Sequence, residues 1–148
     1  MELKCSRNCH ALYSLKYHLI MCTKYRRQCI NDEVADTILV QFQHVAEINN
    51  CEIEEFGYEA DHVHVLLSVP PQVCLSSVVN SMKTTSSRRV RQAHGEYLQK
   101  YYWEPLFWSR SYLILSSGGA PIEVIRGYIQ EQGTEEHSNK VRKRKSRG

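Results

Sequence analysis

ADHVHVLLSVPP, residues 60–71, reads as a short apolar strand halted by Pro70 and Pro71, which bring no N–H to a ladder. On a strand, residues i and i+2 point to one face, about 6.6 Å apart along the chain. His62 and His64 therefore share a side while Val63 turns to the core. Such a pair suits one divalent cation, although a polar strand face with two unrelated histidines has the same pattern. Immediately upstream, CEIEEFGYEA (51–60) reads as a second strand.

Further upstream, Val34, Ile38, Phe42 and Val45 recur at helical spacing, with Leu39 and Ala46 beside them. This predicts a helix starting at Asn31 or Asp32 and ending at Asn49 and Asn50. Before it, ALYSLKYHLIMCTK (11–24) alternates as one long strand, with Tyr13, Leu15, Tyr17, Leu19 and Met21 on one face. The basic cluster Lys24, Arg26 and Arg27 links the two. Downstream of the prolines a second helix begins near Ser76. It carries Val78, Val79 and Met82 on one side and Lys83, Arg88, Arg89 and Arg91 further on. The aromatic-rich region 95–110, partly loop because of Pro105, leads to a fourth strand, SYLILS (111–116). Ser117, Gly118, Gly119 and Ala120 form a flexible joint, and Pro121 suits the first turn of a last helix, 121–132, ended by Gly133. The order β-α-β-β-α-β plus one helix is the split βαβ plan. The expected fold is α+β: a ferredoxin-like antiparallel sheet with helices on one face and an added C-terminal helix.

At 148 residues, with 42% hydrophobic and 24% charged residues, the chain is sized for one domain and unlike a disordered or collagenous chain. No run approaches the roughly 20 apolar residues of a membrane span. MELKCSRNCH lacks the apolar stretch of a signal peptide, so a cytoplasmic protein is expected. The six cysteines form no CxxC pair and read mostly as buried free thiols; Cys5, Cys9 and His10 resemble half a metal site with no second half. Net charge is +3, but the last nine residues, KVRKRKSRG, hold six Lys or Arg; without them 13 basic residues face 16 acidic ones. Attraction to nucleic acid must then come from local patches or from the tail. The expected division is a single domain over 1–139 and a basic, disordered tail over 140–148, which is either solubilising or DNA-contacting.

Tyr128 and Gln132 sit at i and i+4 on the last helix, so they share a face, about 6 Å apart. A tyrosine hydroxyl can be a nucleophile and a glutamine carbonyl a neutral metal ligand. Alone, Tyr128 reads more readily as a ring packed on an amphipathic helix, because activated nucleophiles are rare among tyrosines. Joined to His62 and His64, the set offers two imidazole nitrogens, an amide oxygen and a phenol. Nitrogen and oxygen ligands without thiolate suit Mg²⁺ or Mn²⁺, the histidines tilting toward Mn²⁺. Such a metal leaves positions for phosphate oxygens and polarises phosphorus. Glu59 or Asp61 can orient an imidazole from behind, or Asp61 can simply serve the turn.

At this point the chain closely resembles the HUH single-tyrosine transposases (TnpA) of small bacterial and archaeal insertion sequences. LKYHLIMCTKYRR (15–27) looks like that family's first strand with its basic end, and ADHVHVLLSVPP like its HUH strand. SSVVNSMKTTSSRRVR (76–91) is similar to its second helix, and LFWSRSYLILSSGGAPIEVIRGYIQEQ (106–132) to its final strand, glycine joint and tyrosine helix. The resemblance runs from about His10 to Gln132; Leu113-Ile114-Leu115 depart from the usual pattern. It implies that His62, His64 and Gln132 hold the metal and that Tyr128 forms a 5′-phosphotyrosine. It also implies excision and insertion of single-stranded DNA at imperfect subterminal hairpins. A homodimer is implied, in which the tyrosine helix of one subunit can complete the partner's site, hinged at Gly118 and Gly119.

Candidate phosphate contacts are Lys24, Arg26, Arg27, Lys83, Arg88, Arg89, Arg91 and Arg110. Each reads equally as a solvated surface charge. Ser86 and Ser87 either donate to phosphate or face solvent; Trp103 and Trp108 either stack bases or, more in keeping with tryptophan, pack in a core or interface. Two other readings stand beside the main one. One is a domesticated relative that processes genomic hairpins. The other is a non-catalytic ferredoxin-like nucleic-acid binding module, which has no need of His62, His64, Tyr128 and Gln132 together.

Overall fold

The computed structural model describes residues 6–8, 11–13 and 15–116, the first two segments in backbone only. A small hairpin, β1 (Ser6–Asn8) with β2 (Ala11–Tyr13), precedes the main sheet. The sheet comprises β3 (Lys16–Thr23), β4 (Glu52–Glu59), β5 (His62–Ser68) and β6 (Trp108–Ser116), in the order β4-β5-β3-β6 with every neighbouring pair antiparallel. Helices α1 (Asp32–Ile48) and α2 (Leu75–Ala93) pack on one face. The short α3 (Gly95–Leu98) leads through residues 99–107 to β6. This is the split βαβ arrangement that the element order predicts. The joint and last helix expected at 117–132, with Tyr128, Gln132, Gly118 and Gly119, lie outside the described residues, as does the tail.

The expected strand 11–24 is two strands. Residues 11–13 pair with β1, and the ladder of β3 with β5 begins only at Lys16 opposite Ser68. The cause is the far end of β5, where Pro70 and Pro71 follow Val69: the last backbone bond there is Val69 N–H to the Leu15 carbonyl, 2.8 Å. No ladder remains for residue 13 to join. Leu15, expected on the core face, is 38% exposed, whereas Tyr17, Leu19 and Met21 join the core as alternation requires. The last strand starts three residues earlier than expected, because Trp108 pairs with Thr23 after a register shift in β3.

Helix α1 is opened by Asn31, whose side-chain oxygen accepts from the Val34 N–H at 2.8 Å. Asp32 and Glu33 lie in its positive first turn. It closes just before Asn50, which has φ 58° and is of the type that tolerates a left-handed backbone. Val34, Ile38, Phe42 and Val45 are all buried, as are Val78, Val79 and Met82 of α2. They meet Val63, Val65 and Leu67 of β5 and Leu19 and Met21 of β3 in one core. In β4 a bulge at Glu54 lets both Ile53 and Phe56 face that core, although they are three residues apart. Among the described residues no helix is long and apolar enough to cross a membrane.

Candidate active site

With Val63, Val65 and Leu67 committed to the helices, His62 and His64 must emerge on the opposite face of the sheet. Pairing fixes their surroundings. Cys22 and Glu59 flank His62, while Ile20 and Gly57 flank His64. Gly57 leaves open space on that side: a Cβ there would meet nothing within 4 Å. Ile20 and Cys22 are buried with Leu113 and Leu115 beside them, so the histidines stand next to an apolar floor.

Each imidazole has a fixed outer partner. Nδ1 of His62 lies 2.8 Å from Oδ1 of Asp61. An ionised carboxylate only accepts, so Nδ1–H donates, and in the neutral ring the lone pair is then on Nε2. Asp61 is held in turn by Arg26, whose Nη2 and Nε lie 2.6 and 2.9 Å from Oδ2. The His62 hydrogen bond, with the Arg26 guanidinium and against burial, holds the Asp61 carboxyl below its ordinary range. Of the two roles open to Asp61, the orienting contact is present. Glu59 has no such contact with His62 among those seen; it pairs with His62 through the ladder.

His64 has a partner that the sequence reading missed. Nδ1 of His18 lies 2.9 Å from its Nε2, and the rings stack at 5.1 Å with 13° between planes. The signal was available. His18 is the even neighbour of Tyr17 and Leu19, so once those face the core it must share the side of His64. Burial, and then the neighbouring His18, lowers the His64 pKa, which favours the neutral ring a metal needs. One nitrogen of this pair donates. If His64 Nε2–H donates to His18, the lone pair of His64 is on Nδ1.

The donor chemistry fits a divalent ion in part. His62 and His64 bring two imidazoles to one face, but no cluster of three or more His, Cys, Asp or Glu able to hold a metal occurs among the described residues. Any third protein ligand must be of another type or lie elsewhere in the chain, and the predicted Gln132 meets both conditions.

Of the predicted phosphate contacts, several gather where β3 ends, the end at which β5 begins with His62. Tyr25 and Arg26 take left-handed backbone, φ 58° and 52°. Lys24 and Arg27 lie over the Tyr25 ring at 5.2 and 5.9 Å. Lys83 reaches over from α2, donating to the Arg110 carbonyl at 2.9 Å. Burial and the nearby charge of Lys24 lower its pKa. Lys83, Ser87 and Arg91 line a cleft of about 310 Å³ against residues 105–108. Arg88 and Arg89 are exposed on α2, across the sheet from the histidines. Ser86 neither faces solvent nor is placed for phosphate. It is fully buried and accepts from Trp108 Nε1 at 2.9 Å, because Trp108 belongs to the core. Trp103 is fully exposed.

Comparison with known proteins accords with this geometry. Residues 11–132 match the family described as IS200-like transposase. The chain is 35% identical over 136 residues to the ISDra2 transposase TnpA of Deinococcus radiodurans, covering 92% of this chain and 95% of that one. It is 32% identical over 123 residues to the transposase of insertion element IS200 from Salmonella typhimurium, covering 83% and 80%. Among solved structures, a Deinococcus radiodurans R1 protein described as a transposase superposes with a TM-score of 0.77 at 33% identity, covering 86% of this chain and 97% of that one. A REP-associated tyrosine transposase bound to a REP hairpin shares the fold, with a TM-score of 0.53 at 13% identity, covering 83% and 67%. A sheet that turns two histidines away from its helices, within a match spanning most of the sequence, leaves one conclusion: this chain belongs to the IS200-like transposase family.

Proposed function

We propose that this transposase cuts and rejoins single-stranded DNA at insertion-sequence ends through a 5′-phosphotyrosine on Tyr128. His62, His64 and Gln132 hold Mg²⁺ or Mn²⁺. The observation that carries this reading is the placement of His62 and His64 on the sheet face away from α1 and α2, each with one ring nitrogen hydrogen-bonded, to Asp61 and to His18. That is how metal-binding imidazoles are oriented. The bound ion supplies Lewis acidity toward a phosphate oxygen.

The chain's own residues do the rest. The Tyr128 oxygen forms a bond to phosphorus, the P–O3′ bond breaks, and the departing 3′ oxygen takes a proton. At pH 7 about one free tyrosine in a thousand is ionised, so the phenol must lose its proton as it attacks. One ester replaces another, so rejoining needs no ATP. Lys24, Arg27 and Lys83, at the same end of the sheet as His62, offset phosphate charge. Hairpin DNA as partner is supported by the hairpin-bound fold relative. A homodimer, with Gly118 and Gly119 as hinge, gives Tyr128 a route to either subunit's histidines.

The test is incubation with hairpin-containing single-stranded DNA and Mg²⁺ or Mn²⁺, read on a denaturing gel. Wild type gives a covalent protein–DNA band. Tyr128→Phe binds the hairpin and gives none. A stable adduct from that variant overturns the nucleophile, and full cleavage in EDTA overturns the metal.

A further inference from the structure

Arg26 belongs to the basic cluster that sequence reading assigns to phosphate, but its guanidinium is turned inward. Both Nη2 and Nε address Oδ2 of Asp61, at 2.6 and 2.9 Å, while Oδ1 of the same carboxylate accepts from His62 Nδ1 at 2.8 Å. The Asp61 side chain is only 13% exposed. The backbone around it is fastened as well. The Asp61 carbonyl accepts from the Thr23 N–H at 2.9 Å and from the Thr23 hydroxyl at 3.2 Å. Ile30 N–H bonds the neighbouring Ala60 carbonyl at 2.9 Å. The Thr23 hydroxyl also donates to the Arg27 carbonyl at 2.7 Å, and Tyr102 donates to the Lys24 carbonyl at 2.7 Å. These bonds pin both sides of a turn in which Tyr25 and Arg26 occupy left-handed backbone that non-glycine residues seldom adopt. A conformation of this kind persists only when its surroundings enforce it, and its result here is a fork-shaped cation aimed at a single carboxylate.

We infer that Arg26 is a positioning residue, not a DNA contact: it clamps Asp61, and through Asp61 fixes the His62 ring with Nδ1–H inward and the Nε2 lone pair outward. The inference rests on the proposed role of His62 as a metal ligand. A lysine at this position keeps the charge but not the two-pronged geometry, so it restores function only in part. Arg27, exposed and one residue on, stays available for phosphate.

Four proteins decide this: wild type, Arg26→Gln, Arg26→Lys and Arg27→Gln, each checked for an unchanged far-ultraviolet spectrum. In the metal-free state, long-range ¹H–¹⁵N correlation reports which nitrogen of His62 bears the proton. Wild type and Arg27→Gln should show Nδ1–H alone, and Arg26→Gln a mixture of tautomers. In Mn²⁺ titration, Arg26→Gln should bind about 10- to 100-fold more weakly, the range for loss of an outer partner, with Arg26→Lys in between. In hairpin binding without metal, Arg27→Gln should lower the salt slope by about 0.7 to 0.9 and Arg26→Gln should leave it unchanged. A single His62 tautomer in Arg26→Gln, or a fall in its salt slope like that of Arg27→Gln, overturns the assignment. Absence of Mn²⁺ binding in wild type would instead refute the metal reading, while the metal-free tautomer still decides whether Arg26 positions His62. If Arg26→Gln misfolds, Asp61→Asn carries the same tautomer test, with a mixed His62 population expected and an unchanged one contrary.

Discussion

Ser86 shows how a polar residue becomes structural once its surroundings are known. Its hydroxyl donates to the Met82 carbonyl at 2.5 Å and accepts from Trp108 Nε1 at 2.9 Å, entirely out of water. Ser86→Ala removes the acceptor that a buried indole N–H has among the described residues, so it should destabilise the fold by about 1–3 kcal/mol in urea unfolding. Trp108→Phe in the same background should return part of that loss by deleting the orphaned donor. If the double variant is as unstable as the two single losses added together, the Ser86–Trp108 bond is not the cause. Asp61 gives a second residue-scale expectation. Its carboxyl pKa is below the ordinary 3.8 in the folded protein, chiefly because His62 donates to it. Protons therefore bind the unfolded state more readily. The stabilisation is present above pH 3.8 and lost as pH falls through the lower folded value. Asp61→Asn should flatten that part of the acid-unfolding curve, and an identical acid limb in wild type and variant would contradict it.

The helices and strands differ in how openly they declare themselves. Helix α1 was legible because its apolar period, its Asn31 cap and its Asn50 stop are all local signals. The first strand was not, since its break after Tyr13 depends on where β5, about fifty residues away, runs out of hydrogen-bonding partners. The core position of Trp108 follows the ordinary use of tryptophan, but the burial of Ser86 against it needed the pairing of β6 with β3. His62 and His64 were legible as a same-face pair; His18 as the partner of His64 required the register between β3 and β5. The start of α2 carries a prediction of its own. Cys74 is exposed there, and hydrogen bonds from Ser76 and then Ser77 bring its thiol pKa down to about 7. Burial pushes Cys29 up to about 11. A short pulse of iodoacetamide at pH 7.5, with sites mapped by peptide mass spectrometry, should label Cys74 well before Cys29, because the thiolate is the reactive form. Equal labelling of the two in the folded protein would show that this helix start does not favour the thiolate.

At the scale of the whole molecule the charge is split between two places, and the proposed function gives them different work. Without residues 140–148 the chain has 13 basic and 16 acidic residues, yet Lys24, Arg27, Lys83 and Arg110 remain near the end of the sheet where His62 lies. A local cationic patch on a net-negative body attracts phosphate only at short range, within about 8–10 Å at physiological salt. If the tail contacts DNA, its six cations neutralise phosphates without regard to sequence or to the orientation of the strand. Deleting residues 140–148 should therefore weaken DNA binding most at low salt and reduce its salt slope, by up to about 4 to 5 if all six neutralise a phosphate. The covalent adduct should still form once the DNA concentration is raised to compensate, because the proposed nucleophile and the proposed metal ligands all precede residue 133. Salt titrations of hairpin binding, paired with denaturing gels at saturating DNA, separate the two effects. If the shortened protein keeps its fold and occupies the hairpin but yields no adduct, the tail takes part in the cleavage site, and the division of labour between patch and tail is wrong.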